Sequence, residues 1–168
     1  MNVLFDSSVL IDLFNENLKG DHRAKIDDLI ASIKRSKKKI LVPTPTLTEL
    51  MVHAGPAREK YYEFLSKSTT FQITPFDGRA AMDCALMLNQ AFSKPEQKKV
   101  TRTKFKFDWQ IAAIAASRDA EIIYSEDSDL ERCATRIGIA FLRPSELPLP
   151  ESARQKSLPL SETAEESK

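Results

Sequence analysis

The sequence predicts an α/β protein built on a mainly parallel sheet with helices on both faces. Two observations carry this expectation. Short apolar runs rich in strand formers alternate with longer segments of helical periodicity, and a parallel return between strands needs such a helix. The chain is also the size of one domain, with 168 residues and an ordinary apolar fraction of 42%. Residues 1–147 are expected to form that domain, and from about Pro148 the chain turns to Ser, Glu and Pro, so 148–168 is expected to be a disordered tail.

The elements follow in order. Asn2 to Phe5 is a first strand, closed by Asp6-Ser7-Ser8, whose short polar side chains favour a turn and a helix start. Val9, Leu10, Leu13 and Phe14 then recur at helical spacing, and a second helix from about Asp21 places Ile26, Leu29, Ile30 and Ile33 on one face. It ends in the basic cluster Lys34 to Lys39, after which Ile40-Leu41-Val42 is a second strand stopped by Pro43 and Pro45. Thr46-Leu47-Thr48-Glu49 reads as the start of a third helix, ended by Gly55, with Pro56 suited to the first turn of the next. That helix carries Tyr61, Phe64 and Leu65, and Phe71 to Thr74 is a third strand. Asp77-Gly78 opens a helix running to about Phe92. Residues 93–106, with Lys94, Lys98, Lys99, Arg102, Lys104 and Lys106 against the single acid Glu96, read as a basic loop. Asp108 then opens an alanine-rich helix, Glu121 to Tyr124 is a fourth strand, Asp129 to Thr135 a short helix stopped at Gly138, and Ile139 to Leu142 a fifth strand.

Composition excludes several classes. A net charge of +1 argues against a polyanion bound by bulk charge, so nucleic-acid affinity would need a local basic patch. Cys84 and Cys133 lie far apart and outside any C-x-x-C pair, which fits reduced thiols better than a disulfide framework. The first acid arrives at Asp6, too soon for a signal peptide, and no apolar run approaches the roughly 18 residues that span a bilayer. A soluble, cytoplasmic protein is expected.

In a parallel sheet, ligands bind beyond the C-terminal ends of the strands, near the switch in strand order. The residues expected there are acids. Asp6 follows the first strand, Glu49 sits in the first turn of the helix after the second, Asp108 opens the helix before the fourth, and Asp127 and Asp129 follow the fourth. Carboxylates held together repel and need protons or cations to persist. Oxygen donors with no His or Cys beside them favour Mg²⁺ or Mn²⁺ over zinc, and such ions suit phosphodiester hydrolysis. Each acid also has a local alternative. Thr46-x-x-Glu49 matches a capping box, Asp6 and Asp108 could be simple N-caps, and Asp127-Ser128-Asp129 could be an Asx turn and a cap. Those alternatives leave unexplained why the acids fall on one edge of one sheet.

Four blocks of residues resemble a known family. Val3-Leu4-Phe5-Asp6-Ser7-Ser8-Val9-Leu10-Ile11, Thr48-Glu49-Leu50, Phe107-Asp108-Trp109-Gln110-Ile111-Ala112-Ala113-Ile114-Ala115 and Tyr124-Ser125-Glu126-Asp127-Ser128-Asp129-Leu130 look like the signature blocks of the PIN domain. In size and layout the chain is most similar to VapC-type ribonuclease toxins of toxin-antitoxin pairs, over roughly residues 2–143. The resemblance implies a three-layer α/β/α sandwich around a five-stranded parallel sheet and a divalent-metal site, Mg²⁺ or Mn²⁺, that cleaves RNA. By position it makes Asp6, Glu49, Asp108 and Asp127 the catalytic acids, with Asp129 a further metal ligand and Ser7, Ser8 and Ser125 supporting hydroxyls. It further implies a cognate antitoxin protein and a homodimer. Beside that site, Lys98, Lys99, Arg102, Lys104 and Lys106 are candidates to hold phosphates, and Phe105, Phe107 and Trp109 are nearby aromatics expected to be core more than stacking surfaces. The chain departs from the family pattern mildly, with Asp-Ser-Ser in the first block and Leu130 in place of an aromatic in the last.

Other α/β proteins with acids at strand ends fail on particular residues. A haloacid-dehalogenase phosphatase requires a second Asp where this chain has Ser8, and a phosphoacceptor receiver domain requires a Lys where it has Arg143-Pro144. A PIN-type RNA-processing nuclease outside any toxin system, or a PIN-like scaffold that binds RNA or protein without catalysis, remains the alternative reading.

Overall fold

A computed structural model describes residues 2–92 and 102–154, with the backbone alone at 92 and 102–106. In order it comprises β1 (Asn2–Phe5), α1 (Ser7–Phe14), α2 (Gly20–Arg35), β2 (Lys39–Pro43), α3 (Thr44–Ala54), a 3₁₀ turn (Gly55–Ala57), α4 (Arg58–Lys67), β3 (Phe71–Thr74) and α5 (Gly78–Phe92). Then come α6 (Arg102–Ser117), β4 (Ala120–Tyr124), α7 (Ser128–Ile137), β5 (Ala140–Leu142), a second 3₁₀ turn (Pro144–Glu146) and α8 (Glu151–Arg154).

All five strands pair in parallel, in the order β3-β2-β1-β4-β5. Strand alternation sorts the core into two layers, because successive side chains point to opposite faces. Val3, Phe5, Ile40, Val42 and Tyr124 face one cluster with Val9, Leu10, Ile26, Ile30, Leu50 and Leu65 from α1 to α4. Leu4, Leu41 and Ile123 face the other, with Cys84, Ile111, Ala112, Ile114, Leu130 and Ala134 from α5 to α7. The result is the expected α/β/α sandwich. Ala112, Ala113 and Ala115 are fully buried, and their small side chains let α6 lie close to its neighbours. Among the described residues no helix is long and apolar enough to cross a membrane.

The structure corrects three boundaries that bear on the site. The basic run does not stay a loop up to residue 106: Arg102, Lys104 and Lys106 lie in α6, which begins at Arg102. Lys and Arg are good helix formers, so positive charge there is compatible with helix. Lys98 and Lys99 fall outside the described residues. Asp108 therefore does not open its helix but is the seventh residue of α6, and Phe105 and Phe107 are helical rather than strand-like. Likewise α3 begins at Thr44, with Pro45 in its first turn, where its missing N–H costs nothing. Glu49 therefore falls in the second turn, and Thr46 lies inside the helix and is not its N-cap. In the expected tail, Glu151–Arg154 form one helical turn, and residues 155–168 lie outside the described part.

Candidate functional site

The strand order reverses at β1. From β1 the chain builds outward to β2 and β3, then returns to add β4 on the other side. Phe5 is in register with Tyr124, so Asp6 and Ser125, the residues that follow, stand level across the crevice where ligands of such sheets bind. Asp6 donates its backbone N–H to the Tyr124 carbonyl at 3.1 Å, extending the pairing by one residue.

The Asp6 side chain occupies the N-cap position of α1 but makes no side-chain cap bond. It turns instead into the crevice and is almost fully buried, at 6% exposure. Its Oδ2 accepts from the Ser125 hydroxyl at 2.7 Å, and its Oδ1 lies 3.5 Å from the Thr46 hydroxyl of α3. Burial raises its pKa above the ordinary carboxylate value; the Ser125 and Ser7 hydrogen bonds oppose that shift, and the charges of Glu49 and Asp127 add to it. Those two acids are thus close enough for Asp6 to feel them.

Glu49 projects from the exposed side of α3, and its Oε2 accepts from the Ser7 hydroxyl at 2.6 Å. Asp127 is the N-cap of α7, its Oδ1 accepting from the Asp129 N–H at 2.7 Å, while its own N–H donates to Ser125 Oγ at 3.0 Å. Asp129 pairs with Arg132 one turn along α7. Asp108 is buried at 7% exposure beside a buried Trp109, which is core as expected. The Cys133 thiol of α7 is pushed up to about 12 by burial and then by the charges of Asp108 and Asp127, so both acids act on the same buried thiol. Ser8 completes the hydroxyl set, 3.5 Å from Ser125 Oγ and accepting the Glu126 N–H at 3.1 Å.

The sequence-predicted acids thus divide. Asp6 lies in the field of Glu49 and Asp127, Asp108 shares with Asp127 an influence on the Cys133 thiol, and Asp129 is engaged with its own helix and Arg132. Among the described residues no group of three or more His, Cys, Asp or Glu is arranged to hold a metal ion as it stands. Like charges with nothing between them keep apart, and here Ser7 and the first turn of α7 supply other partners. The donor set nevertheless fits a hard divalent cation. Every group is a carboxylate or hydroxyl oxygen, and the buried Asp6 carboxylate carries an electrostatic cost that a cation would relieve.

One contributor was missed in the sequence. Thr46 is expected in a capping box, but Pro45 was the available signal, because a proline in the first turn places the helix start at Thr44 and leaves the Thr46 hydroxyl to face Asp6.

The comparisons with known proteins agree with this architecture. A family model described as PIN domain matches residues 3–135. No curated protein matches the sequence. Among solved structures, VapBC2 from Rickettsia felis, bound to a DNA fragment from its promoter, is similar with TM-score 0.62 at 11% identity, over 85% of this chain and 98% of that one. VapBC-1 from nontypeable Haemophilus influenzae gives TM-score 0.58 at 14% identity, over 87% and 100%. VapC20 from Mycobacterium tuberculosis, described as a sarcin-ricin loop cleaving toxin, gives 0.53 at 12% identity, over 77% and 93%. At such identities the likeness establishes the fold. PIN and VapC proteins are nucleases that in general use a divalent metal. With the family model covering most of its length, the chain belongs to the PIN domain family.

Proposed function

We propose that this protein is a divalent-metal-dependent endoribonuclease and the toxin of a toxin-antitoxin pair. The observation that carries the reading is the buried Asp6 carboxylate at the sheet's switch point, in the field of Glu49 and Asp127, within a PIN domain. Asp6, Glu49, Asp108 and Asp127 would hold Mg²⁺ or Mn²⁺, with Asp129 an outer candidate. Such an ion supplies orientation and activation of water toward a phosphodiester and offsets charge on the leaving oxygen. The chain's own residues prepare that site. Ser125 fixes the rotation of the Asp6 carboxylate, Ser7 holds Glu49, and the first turn of α7 orients Asp127. Arg102, Lys104 and Lys106, with Lys98 and Lys99 before them, hold the phosphates of the substrate.

RNA as substrate is supported by the fold shared with the toxin described as cleaving the sarcin-ricin loop. An antitoxin partner is supported by the fold shared with VapC in VapBC assemblies, and a homodimer in the cytoplasm is the corresponding expectation. The nuclease unit is residues 1–147. A second reading, a PIN scaffold without catalysis, draws on the local partners that Glu49, Asp127 and Asp129 already have.

One experiment separates the two. Purified protein is incubated with single-stranded RNA in Mg²⁺ or Mn²⁺, in EDTA, and as the Asp6→Asn and Asp108→Asn variants. Cleavage is expected with metal and lost in EDTA, with a drop of at least about 10²-fold for each variant, the order of loss when one stabilising group is removed from a catalytic site. Cleavage that survives chelation or both substitutions refutes metal catalysis, and no cleavage of any RNA favours the scaffold.

A further inference from the structure

The bend between β4 and α7, which carries Ser125 and Asp127, is held from outside the acid cluster. Its middle residue is Glu126, and every polar group of Glu126 is engaged. The N–H donates to Ser8 Oγ at 3.1 Å and the carbonyl accepts from Arg143 Nη1 at 2.9 Å. The carboxylate accepts from the Ser145 N–H and the Ser145 hydroxyl, both at 2.8 Å. On either side, Ser125 donates to Asp6 and Asp127 begins α7. The Ser125 N–H still extends the β4–β5 pairing, to the Leu142 carbonyl at 3.3 Å; Glu126 comes after that last rung, so its own bonds set the shape of the bend from there.

Arg143 is the centre of the arrangement. It directly follows β5, a strand of three residues. Its guanidinium also pairs with Glu131 of α7, lies 3.6 Å from Glu146, and sits 5.4 Å from the centroid of the Phe141 ring. The side chain is only 20% exposed. A planar guanidinium held at three sides is a rigid donor, which a flexible ammonium is not. Lys25 of α2 donates to the Ser145 carbonyl at 2.6 Å and steadies the turn that grips the Glu126 carboxylate.

We propose that Arg143, acting through the Glu126 carbonyl, is a positioning residue that sets Ser125 and Asp127 for a divalent cation. It touches none of the four acids expected to bind the ion and works at one remove, as groups that orient metal ligands do. The proposal rests on the metal-site reading above.

The test measures Mn²⁺ binding to the full chain by calorimetry and, separately, thermal unfolding in EDTA. Arg143→Gln is expected to weaken Mn²⁺ binding about 10- to 100-fold, the range for groups that orient ligands. Arg143→Lys, which keeps the charge and a longer reach to the carbonyl than Gln has, is expected to lose less, and it serves if the Gln variant does not fold. The proposal is overturned if Arg143→Gln leaves Mn²⁺ affinity unchanged, whether or not it lowers the unfolding temperature. Wild-type protein that binds no Mn²⁺ is a distinct result, which removes the metal site and this proposal with it.

Discussion

Ser125 shows how one hydroxyl organises the site. It is fully buried, and a hydroxyl has one proton to give and two lone pairs. The proton goes to Asp6 Oδ2, so Ser8 must be the donor across the 3.5 Å contact with Ser125, and the Asp127 N–H is a second donor to the same oxygen. Ser8 in turn accepts the Glu126 N–H. Protons therefore run in one direction, from the bend after β4 toward Asp6. Ser125→Ala strips a buried carboxylate and a backbone N–H of the same partner, and such losses cost about 1–3 kcal/mol. Urea unfolding of the variant in EDTA is expected to show a shift of that size, larger than for Ser8→Ala. Equal stability of Ser125→Ala and wild type would refute a stabilising role for these bonds. These serines were legible as hydroxyls near the acids, but their directions were not, because those depend on how β1 and β4 register.

At the scale of elements, boundaries were legible where a capping residue announced them and obscure where charge or proline did. Asp77-Gly78 marked α5 correctly: Asp77 Oδ1 accepts the Ala80 N–H at 3.0 Å, and Arg118 from the end of α6 pairs with the same carboxylate. The start of α6 was hidden by its basic residues, and α3 started two residues early because Pro45 favours a first turn as much as it ends a strand. The α5 cap has a pH signature. The Ala80 N–H first, and then Arg118, hold the Asp77 carboxyl below its ordinary value of 3.8. A carboxylate with a depressed folded pKa stabilises the protein above its unfolded pKa, and that contribution disappears as pH falls through the folded value. Asp77→Asn keeps an acceptor for the cap but loses the charge. Its unfolding temperature is expected to lie below wild type at neutral pH, with the gap closing as pH falls below about 3.8. Thermal scans from pH 7 to pH 2 check this, and a gap independent of pH would refute it.

Over the whole molecule, the alternation of strands and helices made the parallel sheet legible, and with it the edge at which Asp6 and Asp127 stand. The side-by-side placement of β1 and β4 was not, because periodicity assigns a strand to a sheet without naming its neighbours. That placement joins Asp6 to Ser125 and Asp127, segments 119 and 121 residues apart in sequence. It also leaves a tension in the fold. Asp6 is buried as an acid, and Glu49 and Asp127 add like charge, so the metal-free protein folds in spite of this edge. Binding of an ion to the folded state alone would relieve the tension and stabilise by about 2.7 kcal/mol when free ion exceeds its dissociation constant a hundredfold. For a chain of this size each kcal/mol moves the unfolding temperature by about 2–4 °C. Saturating Mn²⁺ is therefore expected to raise the unfolding temperature of wild type by about 5–10 °C over EDTA. Asp6→Asn carries a neutral side chain at the same place, so in EDTA it is expected to unfold no lower than wild type, and Mn²⁺ is expected to leave it nearly unmoved. If Mn²⁺ shifts both proteins equally, the ion binds away from Asp6, and the crevice between β1 and β4 is not the metal site.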